Sequence, residues 1–594
     1  MNTLQPSPRC RALRVVFWVL LWIAPSGASQ LRPALAKLAQ KDTVCKVWVI
    51  FTDKNDSPRT PQLSPRALAR RKRAGIDGAT AADIAVSPRY LAGCERLGCR
   101  VSQVFKWANA ASVAVPAARL HDLAAIAYVN DIVGVRTFSG IARPRQGSGL
   151  AKKNYFDSSS LYGVSFGQLS LLNIPAVHRY VSKTLSASPG AGVIIGLFDT
   201  GFRTKHACLS EFTSGGHLVA DSDFIDHDGT VNDPDSVVND MNSPYYHNDE
   251  HGSMTLSLIA GYDPPNFAGA AWGARFILAR TEDTKLTPDG EIEKHYEEDN
   301  WAAATVWAES LGVDIVSSSL GYRDGFTFPD TDYTYRDMNG RTTIISKAAS
   351  LACSLGVIIV NAMGNEGAIP GSLVAPADVD KVISVGAVNS NLTIAGFSSC
   401  GPTSDGRIKP DCVAQGVDNA VPDIYGISND SYTFASGTSF ATPLVAGVCA
   451  LVNQAHSNDP PSLIRSRLLS SCALVPGQSV VNDSFGRGVP NAKIACLPND
   501  VPVSQITIFP NVLNFGKKFQ QLKFEFEGSA DSLAFSAAIR SVDGALVWTA
   551  QVVAKSNVLV LPWPQPGRTV APGVYFFIAN YAGKTYRQKF MVTG

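Results

Sequence analysis

The spacing of apolar positions changes character three times along the chain. Near the start, Lys46 to Phe51 is a short β-rich run, and Ser64-Pro65 opens a basic helical stretch that continues through Arg73. Helix is predicted over Tyr90 to Leu97 and Ala117 to Ala127, with strands over Arg100 to Phe105, Ala111 to Val115 and Ile132 to Arg136, which together make a small α+β module. Residues 139–160, with Arg143-Pro-Arg145, Gly149 and Lys152-Lys153, are polar and rich in Gly, Pro and Ser, as expected of an exposed linker open to proteolysis. From Tyr162 to Pro498, apolar runs at Val193 to Phe198, Phe276 to Arg280, Asp314 to Ser318, Val357 to Asn361 and Val382 to Val385 alternate with helical stretches such as Asn300 to Leu311 and Thr342 to Leu355. That alternation predicts βαβ units around a parallel sheet with helices on both faces, whose chemistry gathers at the carboxyl ends of the strands. After Val501 the runs become short and β-prone, as at Leu522 to Phe526 and Val574 to Ile578, and predict a β-sandwich.

At the amino terminus, Arg9, Arg11 and Arg14 precede an apolar run from Val15 to Ala24 that ends in Pro25-Ser-Gly-Ala-Ser29. The run is too short for a membrane-spanning helix, which needs about 20 residues, and has the three parts of a secretory signal. The expected organisation is therefore a signal peptide at 1–29, the small α+β module with its linker at 30–150, an α/β domain at 151–498 and a β-sandwich at 503–594. Charged residues are only 17% of the chain against 45% hydrophobic, which is a globular balance, and the formal charge of +2 offers no field for nucleic acid or an anionic membrane. Of eleven cysteines, Cys10 leaves with the signal, and the rest lack zinc-ribbon spacing. Export permits disulfides, and Cys400 with Cys412 and Cys472 with Cys496 are the pairs to test. Arg70-Arg71-Lys72-Arg73 is read as a solvated helix face, with a processing site as the other reading.

Three clusters stand where strands end or helices begin. Val193 to Phe198 closes on Asp199-Thr200-Gly201; Asp249-Glu250-His251-Gly252-Ser253 leads into an apolar helical stretch; Ser436-Gly-Thr-Ser439-Phe-Ala-Thr-Pro443 offers Ser439 near a helix N-terminus, with Pro443 suited to a first turn. In the order Asp, His, Ser, and with these neighbours, they resemble the motifs of the subtilisin-like serine peptidases, the subtilases. The resemblance extends to Ala362-Met-Gly364-Asn365-Glu-Gly367, to Ser317-Ser318-Ser319-Leu320-Gly321-Tyr322 and to Phe397-Ser-Ser-Cys400-Gly-Pro402. It implies a subtilisin-like α/β fold and a serine endopeptidase with Asp199, His251 and Ser439 as the catalytic triad. Asn365 is implied as an oxyanion donor, and Ser318, Ser319, Leu320 and Gly321 as backbone that pairs with an extended polypeptide substrate. The chemistry explains the residue types: a serine hydroxyl needs a base to take its proton, a histidine titrates in the right range, and a carboxylate fixes the imidazole tautomer. The order also separates the chain from α/β-hydrolases, which run Ser, acid, His around Gly-x-Ser-x-Gly. A silent subtilase fold used as a surface adhesin or scaffold is the alternative reading, although such a chain would be expected to have lost a triad member.

The acidic stretch from Asp221 to Asp240 contains Asp223, Asp226, Asp228, Asp233 and Asp235 and is read as a solvated loop without EF-hand spacing; some subtilases bind Ca²⁺, and no other cofactor or metal is expected. By position and pattern the module from Lys46 to Arg136 resembles the subtilase propeptide, which would make the chain's own propeptide a partner, with maturation expected at 139–160. The tail resembles the C-terminal sorting domain of type IX secretion substrates through Ile508-Phe-Pro-Asn511, Arg540-Ser-Val-Asp543-Gly544, Ala571-Pro-Gly-Val-Tyr-Phe576 and Lys589-Phe590, with Val512 where a second Pro is usual. That resemblance implies the secretion machinery as a partner and a final location outside a Gram-negative cell, reached through the periplasm.

Overall fold

The computed structural model describes residues 44–134 and 161–496, apart from short gaps at 59, 242, 244, 285, 288–289, 292–293, 327–331 and 427, and the strands that lie between Gln505 and Thr593. The expected signal peptide and the expected maturation linker lie outside the described residues. Two compact units are present, one within residues 1–62 and 79–137 and the other within 63–78 and 138–594.

In the first unit, strands β1 (Val44–Phe51), β2 (Arg100–Phe105), β3 (Ala110–Pro116) and β4 (Val129–Gly134) form an antiparallel sheet in the order β2-β3-β1-β4. Alternation along β1 puts Val47, Val49 and Phe51 into a core shared with Tyr90, Cys94, Leu120 and Ile132. The helix expected over Ala117 to Ala127 is a 3-10 turn, Ala117–Arg119, that runs into the α-helix Leu120–Ala124.

The second unit opens with helix α1 (Pro65–Arg73), which Ser64 caps by accepting the Ala67 N–H at 3.1 Å. Its basic run is not a solvated face: the Arg70 and Arg71 side chains are 1% and 0% exposed. Charge pattern alone points such a run outward; here Glu309, from a distant part of the chain, pairs with Arg70 and Arg71, Asp314 pairs with Arg73, and only Lys72 of the run is exposed.

The centre of this unit is a parallel sheet of seven strands: β5 (Ile194–Asp199), β6 (Leu218–Asp223), β7 (Arg275–Arg280), β8 (Ile315–Ser318), β9 (Ile358–Ala362), β10 (Ile383–Val388) and β11 (Cys412–Gln415), in the order β11-β10-β9-β8-β5-β7-β6. This is the expected subtilisin-like α/β architecture. Strands of a parallel sheet covered on both faces read as continuous apolar runs, which is why five of the seven were visible in sequence. Helices α2 (Glu250–Ala260), α3 (His295–Leu311), α4 (Ile344–Ser354) and α5 (Thr438–Ala455) accompany it, and Leu256, Ile259, Leu444 and Val445 pack with Ile195, Leu278, Val360 and Ile383 in one core. Pro443 lies inside α5 and not in its first turn. A proline there has no N–H for the carbonyl four residues back, and that carbonyl, of Ser439, instead accepts the Ser319 hydroxyl at 2.7 Å.

Neither candidate disulfide forms: all ten cysteines from Cys45 onward are free thiols. Sequence proximity was misleading, because Cys412 has Cys472 as its hydrogen-bonding neighbour and the Cys400 thiol donates to the Ile369 carbonyl at 3.1 Å. After residue 504, where a β-sandwich is expected, the described residues form eight strands in a single hydrogen-bonded order, antiparallel except where Val512–Asn514 pairs with Lys584–Thr593.

His178, 3% exposed, sits between the Tyr162 hydroxyl at 3.2 Å on Nδ1 and the Ala270 carbonyl at 2.8 Å on Nε2. Burial pushes it down to about 4. The unfolded chain therefore takes up the proton first as pH falls, so this contribution is complete above about pH 6.5 and is lost on descent towards pH 4, on the order of 3 kcal/mol in all. Thermal unfolding of the wild type should weaken across that window, and the slope should shrink in His178→Gln; an unchanged slope contradicts the assignment.

Candidate active site

The carboxyl ends of β5 and β8 and the first turns of α2 and α5 meet at one cavity of about 570 Å³. Asp199 is the last residue of β5 and is 1% exposed. Its Oδ1 lies 2.6 Å from His251 Nδ1 and also accepts the Thr200 N–H at 2.9 Å, while Oδ2 accepts the Thr255 hydroxyl at 3.0 Å. Three donors on one carboxylate hold it rigidly, so the imidazole's Nδ1–H has a fixed acceptor and its Nε2 is left as the basic nitrogen. His251 is in the first turn of α2, and that turn approaches β5 because residue 252 is glycine. A Cβ at Gly252 would lie 2.1 Å from the Gly201 carbonyl and 3.1 Å from Asp199 Cβ.

Ser439, 8% exposed, is the second residue of α5. Its hydroxyl donates to the Ser319 carbonyl at 3.3 Å, and the Ser319 hydroxyl returns a bond to the Ser439 carbonyl, so the start of α5 and the strand end are tied together. Asn365 follows β9; its Oδ1 accepts both the Thr438 N–H at 2.9 Å and the Thr438 hydroxyl at 3.0 Å. With the oxygen committed to the helix, the amide NH₂ is the end left for the cavity. Gly364 before it has φ +109, and a Cβ there would meet Ser399 Oγ at 2.8 Å, so the turn carrying Asn365 requires glycine.

Of the backbone expected to meet substrate, Ser319, Leu320 and Gly321 line the cavity together with His251, Asn365 and Ser439. Ser318 is turned into the core, 0% exposed, where its hydroxyl accepts the Trp301 indole N–H at 3.0 Å. Several lining residues were not singled out in sequence. Tyr246, Glu282, Asp283 and Glu297 carry no local signal, and Glu250 and Glu366 entered only as neighbours within the quoted motifs; Thr255, which bonds Asp199 without lining the cavity, is findable one helical turn after His251. His247 is stacked between Tyr246 and Tyr425, with ring centroids 3.8 and 3.6 Å away, and burial lowers its pKa. Asp249, which precedes α2, accepts the Tyr425 hydroxyl and lies 3.3 Å from Arg203 Nε; desolvation raises its pKa.

In the acidic stretch, Asp223, Asp226 and Asp233 gather around the buried Arg280 guanidinium at 3.4, 3.2 and 3.2 Å. A protein cation thus occupies the centre of those carboxylates. Among the described residues no group of three or more His, Cys, Asp or Glu is arranged to hold a metal ion, and no helix is long and apolar enough to cross a membrane.

The model of the Subtilase family, Peptidase S8, matches residues 190–488, and that of the Peptidase S8 propeptide domain of Bacteroidota matches residues 46–148. Subtilisin DY of Bacillus licheniformis is 33% identical over 309 residues, which are 52% of this chain and 91% of that protein. Subtilisin-like protease SBT6.1 of Arabidopsis thaliana is 28% identical over 340 residues, 55% of this chain but only 28% of the plant protein. A solved structure of proteases from Pseudoalteromonas arctica PAMC 21717 covers 55% of this chain and 93% of its own, at 24% identity and a TM-score of 0.40.

Proposed function

The chain belongs to the subtilase family, as a subtilisin-like serine endopeptidase, and on that premise we propose that it is exported, made as a zymogen, and cleaves polypeptides through Asp199, His251 and Ser439. The observation that carries the site assignment is the 2.6 Å contact of His251 Nδ1 with the buried Asp199 carboxylate, at the mouth of a cavity that Ser439 and Asn365 also line. Ser439 leaves the Ser319 carbonyl, gives its proton to His251 Nε2 and attacks the scissile carbonyl. Asp199 stabilises the imidazolium without taking the proton. The charge that develops on the carbonyl oxygen is held by the Asn365 amide and the Ser439 backbone N–H. Collapse expels the amine with the proton from His251 and leaves an acyl-serine, which water hydrolyses by the reverse relay. Ser319 to Gly321 supply main-chain partners for an extended peptide, so recognition rests first on backbone. No metal takes part in this reading.

Asn365→Ala should lower kcat on casein or a chromogenic peptide by about 10² to 10³, with KM little changed, since the amide bonds the oxyanion and not the ground-state carbonyl. An equal loss carried in KM contradicts that role. The basic and apolar start of the chain and the likeness of residues 503–594 to a type IX sorting domain support export in two stages. Deleting 503–594 should leave the protein in the periplasm, as read by cell fractionation, and normal release of the truncated chain removes the sorting assignment.

A further inference from the structure

Helix α1 lies within the residues matched by the propeptide model, yet residues 63–78 belong to the same compact unit as the catalytic sheet. The attachment is built from charge, dry at its centre of Arg70, Arg71 and Glu309 and partly exposed at Arg66 and Arg73. Arg71 makes a two-pronged bond to Glu309, Nε to Oε1 at 2.9 Å and Nη2 to Oε2 at 2.8 Å, and Arg70 bonds the same carboxylate and the Val313 carbonyl. Arg66 reaches Asp314 and the Gly312 carbonyl, and Arg73 reaches Asp314 Oδ1 at 3.1 Å and the Ser457 carbonyl at 2.7 Å. Asp314 in turn accepts the Ile194 N–H at 3.0 Å, at the beginning of the strand that ends in Asp199. The recess is shaped by two glycines. A Cβ at Gly312, φ +96, would lie 2.8 Å from Arg66 Cβ, and one at Gly356, φ +87, would lie 2.9 Å from Ala74 Cβ. The position is the amino-terminal end of β5 and β8, a strand's length from the cavity, so α1 does not act by filling the active site.

We propose that this recess, made by Glu309, Asp314, Gly312 and Gly356, is a receptor for an arginine-bearing helix of this same chain, and that residues 63–78 stay in it as a separate peptide once the chain on either side is cut. It rests on the zymogen reading for a cut at 139–160 and adds to it a cut on each side of residues 63–78. Removing one partner from a buried, hydrogen-bonded ion pair is far costlier than removing an exposed one, and Glu309, 0% exposed, has both carboxylate oxygens committed to α1. Salt screens buried pairs weakly, so the attachment should survive ionic strength that dissolves a surface contact. The helix is then a pin that holds the foot of the catalytic sheet in the mature enzyme.

The test uses the full chain carrying Ser439→Ala, with sites for a highly specific protease inserted before Leu63 and after Gly78. After cutting, native size exclusion followed by denaturing mass spectrometry should find the 63–78 peptide with the fragment that contains residue 309, in both 0.1 and 1 M NaCl. In Arg70→Met/Arg71→Met the peptide should leave at least 100-fold faster, and Arg71→Lys, which keeps the charge but loses the fork, should fall between the two. Should the inserted sites disturb folding, hydrogen exchange on the uncut chain reads the same contact: amides 67–74 should exchange at least 100-fold faster in the double variant while those of α5 do not change. A peptide lost within minutes of cutting, or held equally well by the double variant, overturns the proposal. Absence of self-cleavage in the chain with Ser439 intact would count against the zymogen reading and leave these measurements standing.

Discussion

Ser439→Ala should reduce casein hydrolysis by about 10⁶-fold in kcat, down to the residual rate that binding and oxyanion stabilisation alone supply, and His251→Ala should do the same. Losses of nucleophile and base are not additive because they act on one proton, so the double variant should be no slower than either alone. The Ser439 hydroxyl makes a single bond of 3.3 Å to the Ser319 carbonyl, while the carbonyl of Ser439, which alanine keeps, anchors the strand end. The fold should therefore survive the substitution, with a circular dichroism spectrum and melting temperature close to wild type. A kcat that falls less than about 100-fold would remove Ser439 from the nucleophile position.

Asp199→Asn should cost about 10⁴-fold in kcat with little change in KM. The side chain keeps its size and its place at the end of β5, but an amide cannot stabilise the imidazolium. If its NH₂ faces Nδ1, it also pushes the ring towards the tautomer that leaves no base for Ser439. With the amide oxygen at the Oδ1 position the imidazole and the Thr200 N–H keep their acceptor and the Thr255 hydroxyl, which bonds Oδ2, can turn to accept from the NH₂; the reverse orientation sets the NH₂ against the Thr200 N–H. The geometry should thus persist while the chemistry fails, which rapid-quench or stopped-flow acylation with an active ester will separate from misfolding. Wild-type kcat in the variant would contradict the assigned role.

Much of this was legible before any coordinates. The apolar runs ending at Phe198, Ser318 and Asn361 are strands because a doubly covered parallel sheet leaves no polar face to interrupt them. The strands not foreseen are at the edges. Leu218–Asp223 has exposed Leu218 and Asp221 and carries acids usually found in loops, and Cys412–Gln415 is only 4 residues long. The motif residues Asp199, His251, Asn365 and Ser439 were individually ambiguous and became informative through their order. The cavity's remaining wall, from Tyr246 and His247 to Glu282 and Asp283, was invisible because it is assembled from loops whose composition records no partner. The largest misreading was Arg70 and Arg71 in the basic run: Lys72 is exposed as read, but the two arginines look solvated until Glu309, far along the chain, is brought to them. The candidate cysteine pairs failed for the converse reason, since nearness in sequence brought neither pair together.

The most direct measurement is labelling of the purified protein with a fluorophosphonate serine-hydrolase probe, mapped by mass spectrometry beside a casein-cleavage assay. An adduct on Ser439 alone, with labelling and cleavage both lost in Ser439→Ala, is the predicted result. No adduct even after the chain is cut within the 139–160 segment with α1 left in place, or casein cleavage that persists in Ser439→Ala, would contradict the triad and favour a silent fold used as a scaffold.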